Sequence, residues 1–149
     1  MFAHIVVAVD GTPASQPALD HAVHLARQNR SILTGVFVID SRWDDFIGHD
    51  WQNTEKARQD FLAYIRTEQE GQAREARCQF GRAVEGLGSA HFSLREGDPS
   101  DVILELANAP TTELLVLSRR VFQVSGRPSL KTLGRDLVKR AQRPLLLFP

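Results

Sequence analysis

Residues 4–29, HIVVAVDGTPASQPALDHAVHLARQN, decide the fold. The run His4 to Val9 is short, apolar and rich in β-branched residues, which predicts a strand buried on both faces of a parallel sheet. Thr12 follows as a helix N-cap, with Pro13 at the first helical position. Apolar residues then recur on one helical face up to about Asn29, namely Ala14, Ala18, Ala22, Leu25 and Ala26. The stretch therefore predicts a first βα unit.

The rest of the 149-residue chain continues this alternation of strand and helix. Further strands are predicted at Ser31 to Ile39, Ala90 to Arg95, Glu113 to Ser118 and Pro144 to Phe148. Helices are predicted at Thr54 to Val84, at Pro99 to Asn108 with Asp98 as its cap, and on the face formed by Leu130, Leu133, Leu137, Val138 and Ala141. In the first of these helices the expected inward positions are Ala57, Phe61, Ile65, Ala73, Ala76 and Phe80. The stretch Asp40 to Asn53 is expected to be a loop or a short helix, and Arg119 to Ser129 a loop.

Strands separated by single helices predict right-handed crossovers and an α/β fold, with a five-stranded parallel sheet in the order 3-2-1-4-5 and helices on both faces. The composition, 42% hydrophobic and 24% charged, fits one domain over residues 1–149. A span of ~18 to 20 apolar residues and a signal peptide are both missing, which predicts a soluble, cytoplasmic protein without membrane contact. The single cysteine, Cys78, excludes an internal disulfide framework and a Cys-rich zinc site.

Charge is unevenly distributed along a chain whose formal net charge is zero. Residues 119–143 carry roughly +7 and residues 1–118 roughly −7. This asymmetry favours an anion-facing surface near the C-terminus, and a solvated helix face balanced by acidic neighbours is the alternative. Lys131, Arg135 and Lys139 share one helix face, but the neutral overall charge and the lack of a motif argue against nucleic-acid binding.

In such a sheet a ligand site lies beyond the carboxyl ends of the strands, where the strand order reverses. In the order 3-2-1-4-5 that point lies between the first and fourth strands. The residues to inspect are therefore Asp10 to Thr12, Val38 to Asp40, and Ser118 onward.

Three segments, Val6 to Ala26, Arg95 to Ala107 and Glu113 to Arg120, together with the final PLLLF, resemble the universal stress protein family. The resemblance runs the length of the chain in matching order. It implies a five-stranded parallel α/β domain that is commonly a homodimer. One subset of the family binds ATP or a related adenine nucleotide, and another does not.

The nucleotide-binding subset carries Gly-x2-Gly-x9-Gly-Ser or Thr after the fourth strand. Such glycines let backbone N–H groups approach phosphate oxygens. Here the corresponding positions are Ser118, Val121 and, after a longer spacer, Gly134-Arg135. Asp10 matches the family's acidic residue beside the nucleotide, and Val38 matches a position that contacts adenine. Loop capping by Asp10 and sheet core at Val38 are the alternatives.

Arginines could replace the missing glycine loop. Guanidinium groups of Arg119, Arg120, Arg127 and Arg135 could bind phosphate or carboxylate in bidentate fashion, which would make an altered anion site. Alternatively, these arginines form salt bridges with Asp44 and Asp45 or across a dimer.

Both tryptophans lie in one loop after the second strand, where Trp43, Phe46 and Trp51 alternate with charged residues. This pattern is typical of a lid or a partner surface. Packing on the following helix is the alternative.

No catalytic motif is present, so we expect a binding protein and not an enzyme. The leading interpretation is a stress-associated regulatory protein that is not a tight ATP binder and acts as a homodimer through contacts with an unknown protein partner, with no certain cofactor. The final PLLLFP is the expected dimer strand. A switch sensing adenine nucleotide or another anion through an arginine-modified phosphate site is the alternative, followed by a nucleotide-dependent enzyme.

Overall fold

A computed structural model describes residues 2–48, 55–122 and 133–149 of the chain. Its five strands form one parallel sheet in the order β3-β2-β1-β4-β5, which confirms the predicted α/β fold and strand order. The strands are β1 His4–Ala8, β2 Ile32–Asp40, β3 Ala90–Gly97, β4 Leu114–Ser118 and β5 Leu145–Phe148.

Helices connect successive strands. They are α1 Gln16–Asn29, α2 Trp43–Ile47, α3 Glu55–Ala83, α4 Pro99–Ala107 and α5 Leu133–Arg140. Helix α1 packs beside α3, and α4 beside α5. Because the strand order reverses between β1 and β4, right-handed crossovers place these two pairs on opposite faces of the sheet.

The start of α1 differs from its prediction. Pro13–Ser15 form a single 3₁₀ turn, and the α-helix begins only at Gln16. Thr12 precedes the turn but makes no side-chain cap, because its hydroxyl donates to Asp10. The Asp98 cap of α4 is confirmed, since its carboxylate accepts from the N–H of Ser100 at 2.9 Å.

The core lies on both sides of β1 and β4, whose residues are almost all buried. Helix α3 closes one side and approaches β2 at Gly35. A Cβ atom at Gly35 would lie 2.5 Å from the Phe80 ring, so the missing side chain lets that ring lie directly on the sheet. The close fit fixes the position of α3 relative to β1 and β2.

Two inward positions were wrongly predicted. On α3, Ala57 is exposed and its neighbour Arg58 is buried, because ion pairs and carbonyl oxygens satisfy the Arg58 guanidinium. On α5, Val138 is 64% exposed, while Leu133 and Leu137 are buried. None of the helices in the described part of the chain is long and apolar enough to cross a membrane.

Candidate functional site

A cleft of about 760 Å³ lies beyond the carboxyl ends of β1 and β2. Its apolar wall is formed by Phe37, Val38, Trp43 and Phe122, and we call it the aromatic cleft. Asp10 contributes to its floor. Asp10 and Val38, two of the residues predicted for the nucleotide site, therefore do lie together.

Phe122 fills space next to Asp10. Its ring is buried and meets the Phe37 ring edge to face at 5.6 Å between centroids. The backbone of Phe122 has a φ of 62°, an unfavourable value for a residue with a side chain. A hydrogen bond of 3.1 Å from its N–H to Asp10 Oδ2 holds this conformation. The segment after β4 thus folds back over the end of β1.

Asp10 is only 1% exposed, and the protein itself satisfies its carboxylate. One oxygen accepts from the N–H and the hydroxyl of Thr12, at 2.9 and 2.6 Å, and the other accepts from Phe122. This is the loop-capping role that the sequence left open as an alternative. A buried carboxylate with three donors needs no ligand to be stable.

Gln79 of α3 binds the loop after β1, which sequence reasoning missed. Its side-chain oxygen accepts from Gly11 N–H at 3.0 Å and from the Ser15 hydroxyl at 2.9 Å, and its amide donates to Thr12 O at 2.9 Å. Contacts across more than sixty residues leave no local signal in the sequence. Because α3 lies so close, a Cβ atom on Gly11 would be 2.8 Å from Glu75 Cβ.

The four N–H groups that follow β4 all donate within the protein. Arg119 N–H donates to Phe148 O at 2.9 Å, and Val121 N–H to Ser118 O at 3.1 Å. Arg120 N–H donates to the Ser118 hydroxyl at 3.1 Å, and Phe122 N–H to Asp10. Since the N–H groups of Asp10, Gly11 and Thr12 after β1 donate within the protein as well, these residues and residues 119–122 do not present a row of open N–H groups to an anion.

Charges at the aromatic cleft are mainly negative. Among the described residues its lining includes one cation, Arg74, and four carboxylates, which are Asp10, Asp40, Glu68 and Glu75. Asp40 forms a two-pronged ion pair with Arg42, at 3.0 and 2.9 Å. That hydrogen bonding is the main cause raising the pKa of the Arg42 guanidinium above its ordinary value.

A second cleft, of about 540 Å³, lies between the end of β4 and α5. We call it the cationic cleft. Its described lining consists of Arg119, Arg120, Gly134, Arg135, Val138, Lys139 and Leu147. Four of these seven residues are basic and none is acidic, and no residue is shared with the aromatic cleft.

The structure therefore distributes the predicted nucleotide site over two places. Asp10 and Val38 line the aromatic cleft, and Arg119, Arg120, Gly134 and Arg135 line the cationic cleft. Ser118 lines neither, because it is fully buried and its hydroxyl donates to Pro149 O while accepting from Arg120 N–H. Arg127 lies outside the described residues.

Among the described residues, the predicted salt bridges from Arg120 and Arg135 to Asp44 and Asp45 do not form. Asp44 pairs with the buried guanidinium of Arg58, which also donates to Gly48 O at 2.8 Å. Within the described ranges no carboxylate lies at ion-pair distance from Arg120 or Arg135.

The aromatic segment predicted as a lid is in part a short helix. Trp43 opens α2, lines the aromatic cleft and meets the Phe61 ring of α3 at 6.5 Å between centroids. Trp43 therefore both packs on the following helix and lines a cleft. Phe46 belongs to α2, and Trp51 lies outside the described residues.

Known proteins share this architecture. A sequence profile described as the universal stress protein family matches residues 1–149. A universal stress protein of Methanocaldococcus jannaschii is 24% identical over 148 residues, which cover 99% of this chain and 82% of the relative.

Solved structures share the fold. The universal stress protein UspA of Lactobacillus plantarum has a TM-score of 0.74 at 21% identity, over 99% of this chain and 97% of that one. A universal stress protein of Archaeoglobus fulgidus, solved in complex with dAMP, has a TM-score of 0.63 at 18% identity, over 97% and 96%.

The parallel sheet with its reversal between β1 and β4 defines the class as a doubly wound α/β protein. Within that class, the chain belongs to the universal stress protein family.

Proposed function

We propose that this protein is a regulatory binding module that acts as a homodimer and does not hold ATP tightly in the aromatic cleft. The observation that carries the proposal is the use of the N–H groups of residues 119–122 inside the protein. Family members that bind nucleotide use a glycine loop at this place to cradle phosphates, and Val121 and Phe122 are both buried here. An incoming phosphate would have to break hydrogen bonds that already exist.

Charge supports the same proposal. The triphosphate of ATP is strongly anionic, and the described lining of the aromatic cleft sets Arg74 against the carboxylates of Asp10, Glu68 and Glu75. The charge of Asp40 is already paired with Arg42. Like charges in a cleft of reduced dielectric repel each other more than they do in bulk water. The aromatic wall could still accept a neutral ring, but the lining disfavours a polyphosphate.

The test is calorimetry with AMP and dAMP, with the Archaeoglobus fulgidus relative that binds dAMP as positive control. We expect no saturable heat from this protein up to about 1 mM ligand, which corresponds to less than roughly 4 kcal/mol of binding free energy. Native mass spectrometry of the freshly purified protein should show no retained nucleotide. A micromolar Kd for either nucleotide, or a co-purified adenine nucleotide, would reject this part of the proposal.

Dimerisation is proposed through the outer edge of β5. Among the described residues no strand pairs with that edge, and its side chains Leu145, Leu146, Leu147 and Phe148 are apolar and half-buried. The opposite edge, β3, carries Arg95 and Glu96, which are charges that discourage edge pairing. The two edges of the sheet therefore differ, and β5 is the one suited to a second copy.

The hydrogen bonds between β5 and β4 indicate which substitution would test dimerisation through the outer edge of β5. Pro144 O and Phe148 O accept from β4, so by strand alternation the N–H of Leu145 points toward the open edge. Leu145→Pro should leave the β4–β5 ladder intact and block pairing with a second copy. We expect a dimer for the wild type and a monomer for Leu145→Pro by light scattering, at similar melting temperature. A monomeric wild type, or a dimer that survives this substitution, would reject the β5 interface.

A further inference from the structure

A groove of about 370 Å³ lies between α3 and β3, the strand at the opposite edge of the sheet from β5. We call it the lateral groove, and its apolar lining consists of Ile39, Ala73, Phe92 and Leu94. Among the described residues it shares Arg74 with the aromatic cleft and nothing with the cationic cleft. The lateral groove is therefore a surface largely separate from the two clefts and from the β5 edge.

The apolar lining is partly exposed along β3. Phe92 packs on the buried Phe80 ring, with 5.8 Å between the ring centroids. Leu94 lies two residues further along the strand and so points to the same face of the sheet, where 45% of its surface is exposed. Phe92 and Leu94 thus form an apolar strip. An apolar side chain from another molecule that covers this strip removes hydrophobic surface from water.

The arginines of the lateral groove differ in their pairing. Arg66 forms an ion pair with Glu96 of β3 at 2.5 Å. Further along α3, the Arg77 guanidinium lies over the Phe92 ring, 4.8 Å from its centroid. Within the described ranges no ion pair involves Arg74 or Arg77. Unpaired positive charge therefore borders the apolar strip at the Phe92 end.

The contact with Phe92 leaves the Arg77 guanidinium able to bind a second group. A cation over a ring face is attracted by the electrons of the ring and uses none of its N–H donors in that contact. These donors form a planar fork that matches a carboxylate in bidentate geometry. A carboxylate bound to Arg77 lies at the border of the apolar strip, so the best ligand carries apolar groups next to its carboxylates.

We propose that the lateral groove binds an acidic segment of a partner protein, in which apolar side chains alternate with carboxylates. This inference rests on the proposed function of a regulatory binding module, and it names the chemistry of the partner. The apolar side chains cover the apolar strip, and the carboxylates bind Arg74 and Arg77. Since Arg95 and Glu96 discourage direct strand pairing with β3, side-chain contacts provide the recognition.

The probe is a synthetic peptide of eight residues, the length of β3, in which glutamate and valine alternate. Both ends are blocked, and a fluorophore reports binding to the full chain at low salt by anisotropy. Arg77→Gln removes a cation of the groove, and Arg82→Gln removes one from an exposed position of the same helix outside its lining. We expect saturable wild-type binding, a loss of at least about fivefold for Arg77→Gln and less than about twofold for Arg82→Gln. A peptide with lysine in place of glutamate should not bind.

A second pair of variants tests the apolar strip. Leu94→Thr keeps a residue that favours strand but reduces the apolar contact. Ile32→Thr is the matched control, because Ile32 is also 45% exposed on a strand and does not line the groove. We expect a loss of at least about threefold in peptide affinity for Leu94→Thr and no loss for Ile32→Thr. Melting temperatures of all four variants should stay within about 3 °C of the wild type, so that lost binding is not lost folding.

The inference is overturned if the wild type shows no saturable binding up to about 0.5 mM protein. Equal losses for Arg77→Gln and Arg82→Gln, or equal binding of the lysine peptide, would also overturn it, because attraction would then be general. If Arg77→Gln converts a dimer to a monomer by light scattering, the occupant is a second copy and not an acidic partner. A monomeric wild type that still binds the peptide would instead reject the proposed dimer and leave this inference standing.

Discussion

The aromatic cleft and the cationic cleft begin on the same short segment and have opposite properties. Phe122 lines the first, and Arg119 and Arg120 line the second, with the fully buried Val121 between them. In the aromatic cleft, Asp10 and the adjacent N–H groups are all satisfied internally. In the cationic cleft, Arg120 and Arg135 have no ion pair among the described residues. The comparison shows that one short segment can close the first cleft with its N–H groups and place its basic side chains in the second.

The largest expected effect on stability comes from a comparison of one glycine in each cleft, Gly11 in the aromatic cleft and Gly134 in the cationic cleft. At Gly11, φ is +80° and an added Cβ would lie 2.9 Å from the backbone nitrogen of Ala76, so α3 would have to move. Gly11→Ala should therefore lower the free energy of unfolding by about 3 kcal/mol or more.

Gly134→Ala is the matched control. Its Cβ would make only ordinary contacts, the nearest at 3.6 Å, and alanine favours helix. Denaturant unfolding should show no change or a gain of up to about 1 kcal/mol. Equal losses in the two variants would contradict the contrast in backbone packing between the clefts.

The next effect tests whether Asp10 is a structural carboxylate. Asp10→Ala would leave the N–H of Phe122 and two donors of Thr12 without their acceptor, which should cost about 2 to 4 kcal/mol. Glu68→Ala, an exposed carboxylate of the same cleft, should cost less than about 0.5 kcal/mol. Urea denaturation of both variants is the measurement, and a loss below about 1 kcal/mol for Asp10→Ala would count against loop capping.

The smallest expected effect on stability comes from substitutions in the cationic cleft. Because Arg135 and Lys139 are exposed and repel each other, Arg135→Ala/Lys139→Ala should change the free energy of unfolding by no more than about 0.5 kcal/mol, with any gain largest at low salt. Thermal melts at low and high salt check this. A clear loss of stability would show that these two cations contribute to holding the fold together.

The pattern of apolar residues was sufficient to predict the fold, because buried parallel strands and amphipathic helices have strong local patterns. The run at β1 and the Asp98 cap could both be predicted from adjacent residues. The burial of Arg58 could not be predicted, because a charged residue is buried only where other groups accept its hydrogen bonds. The acceptors for Arg58 lie on α2 and at Gly48. Val138 was misplaced because an apolar residue beside Leu137 was assigned to the inner face.

The division of the predicted nucleotide site between two clefts could not be predicted from the sequence either. It depends on the contact of Phe122 with Asp10, which are 112 positions apart, and on Gln79 reaching Gly11 from α3. Spacing of glycines indicated that the family's phosphate loop is altered. It could not indicate that Phe122 would fold toward β1 while Arg120 would face α5.

The most direct test of the central claim titrates ATP into the wild-type protein by calorimetry, with inorganic tripolyphosphate under identical low-salt conditions as the control for attraction of phosphate charge alone. If the aromatic cleft is closed to nucleotide, ATP should give no saturable heat up to about 1 mM. A micromolar Kd for ATP, at least about tenfold tighter than any binding of tripolyphosphate, would mean that the adenine is recognised, and it would contradict the closed cleft.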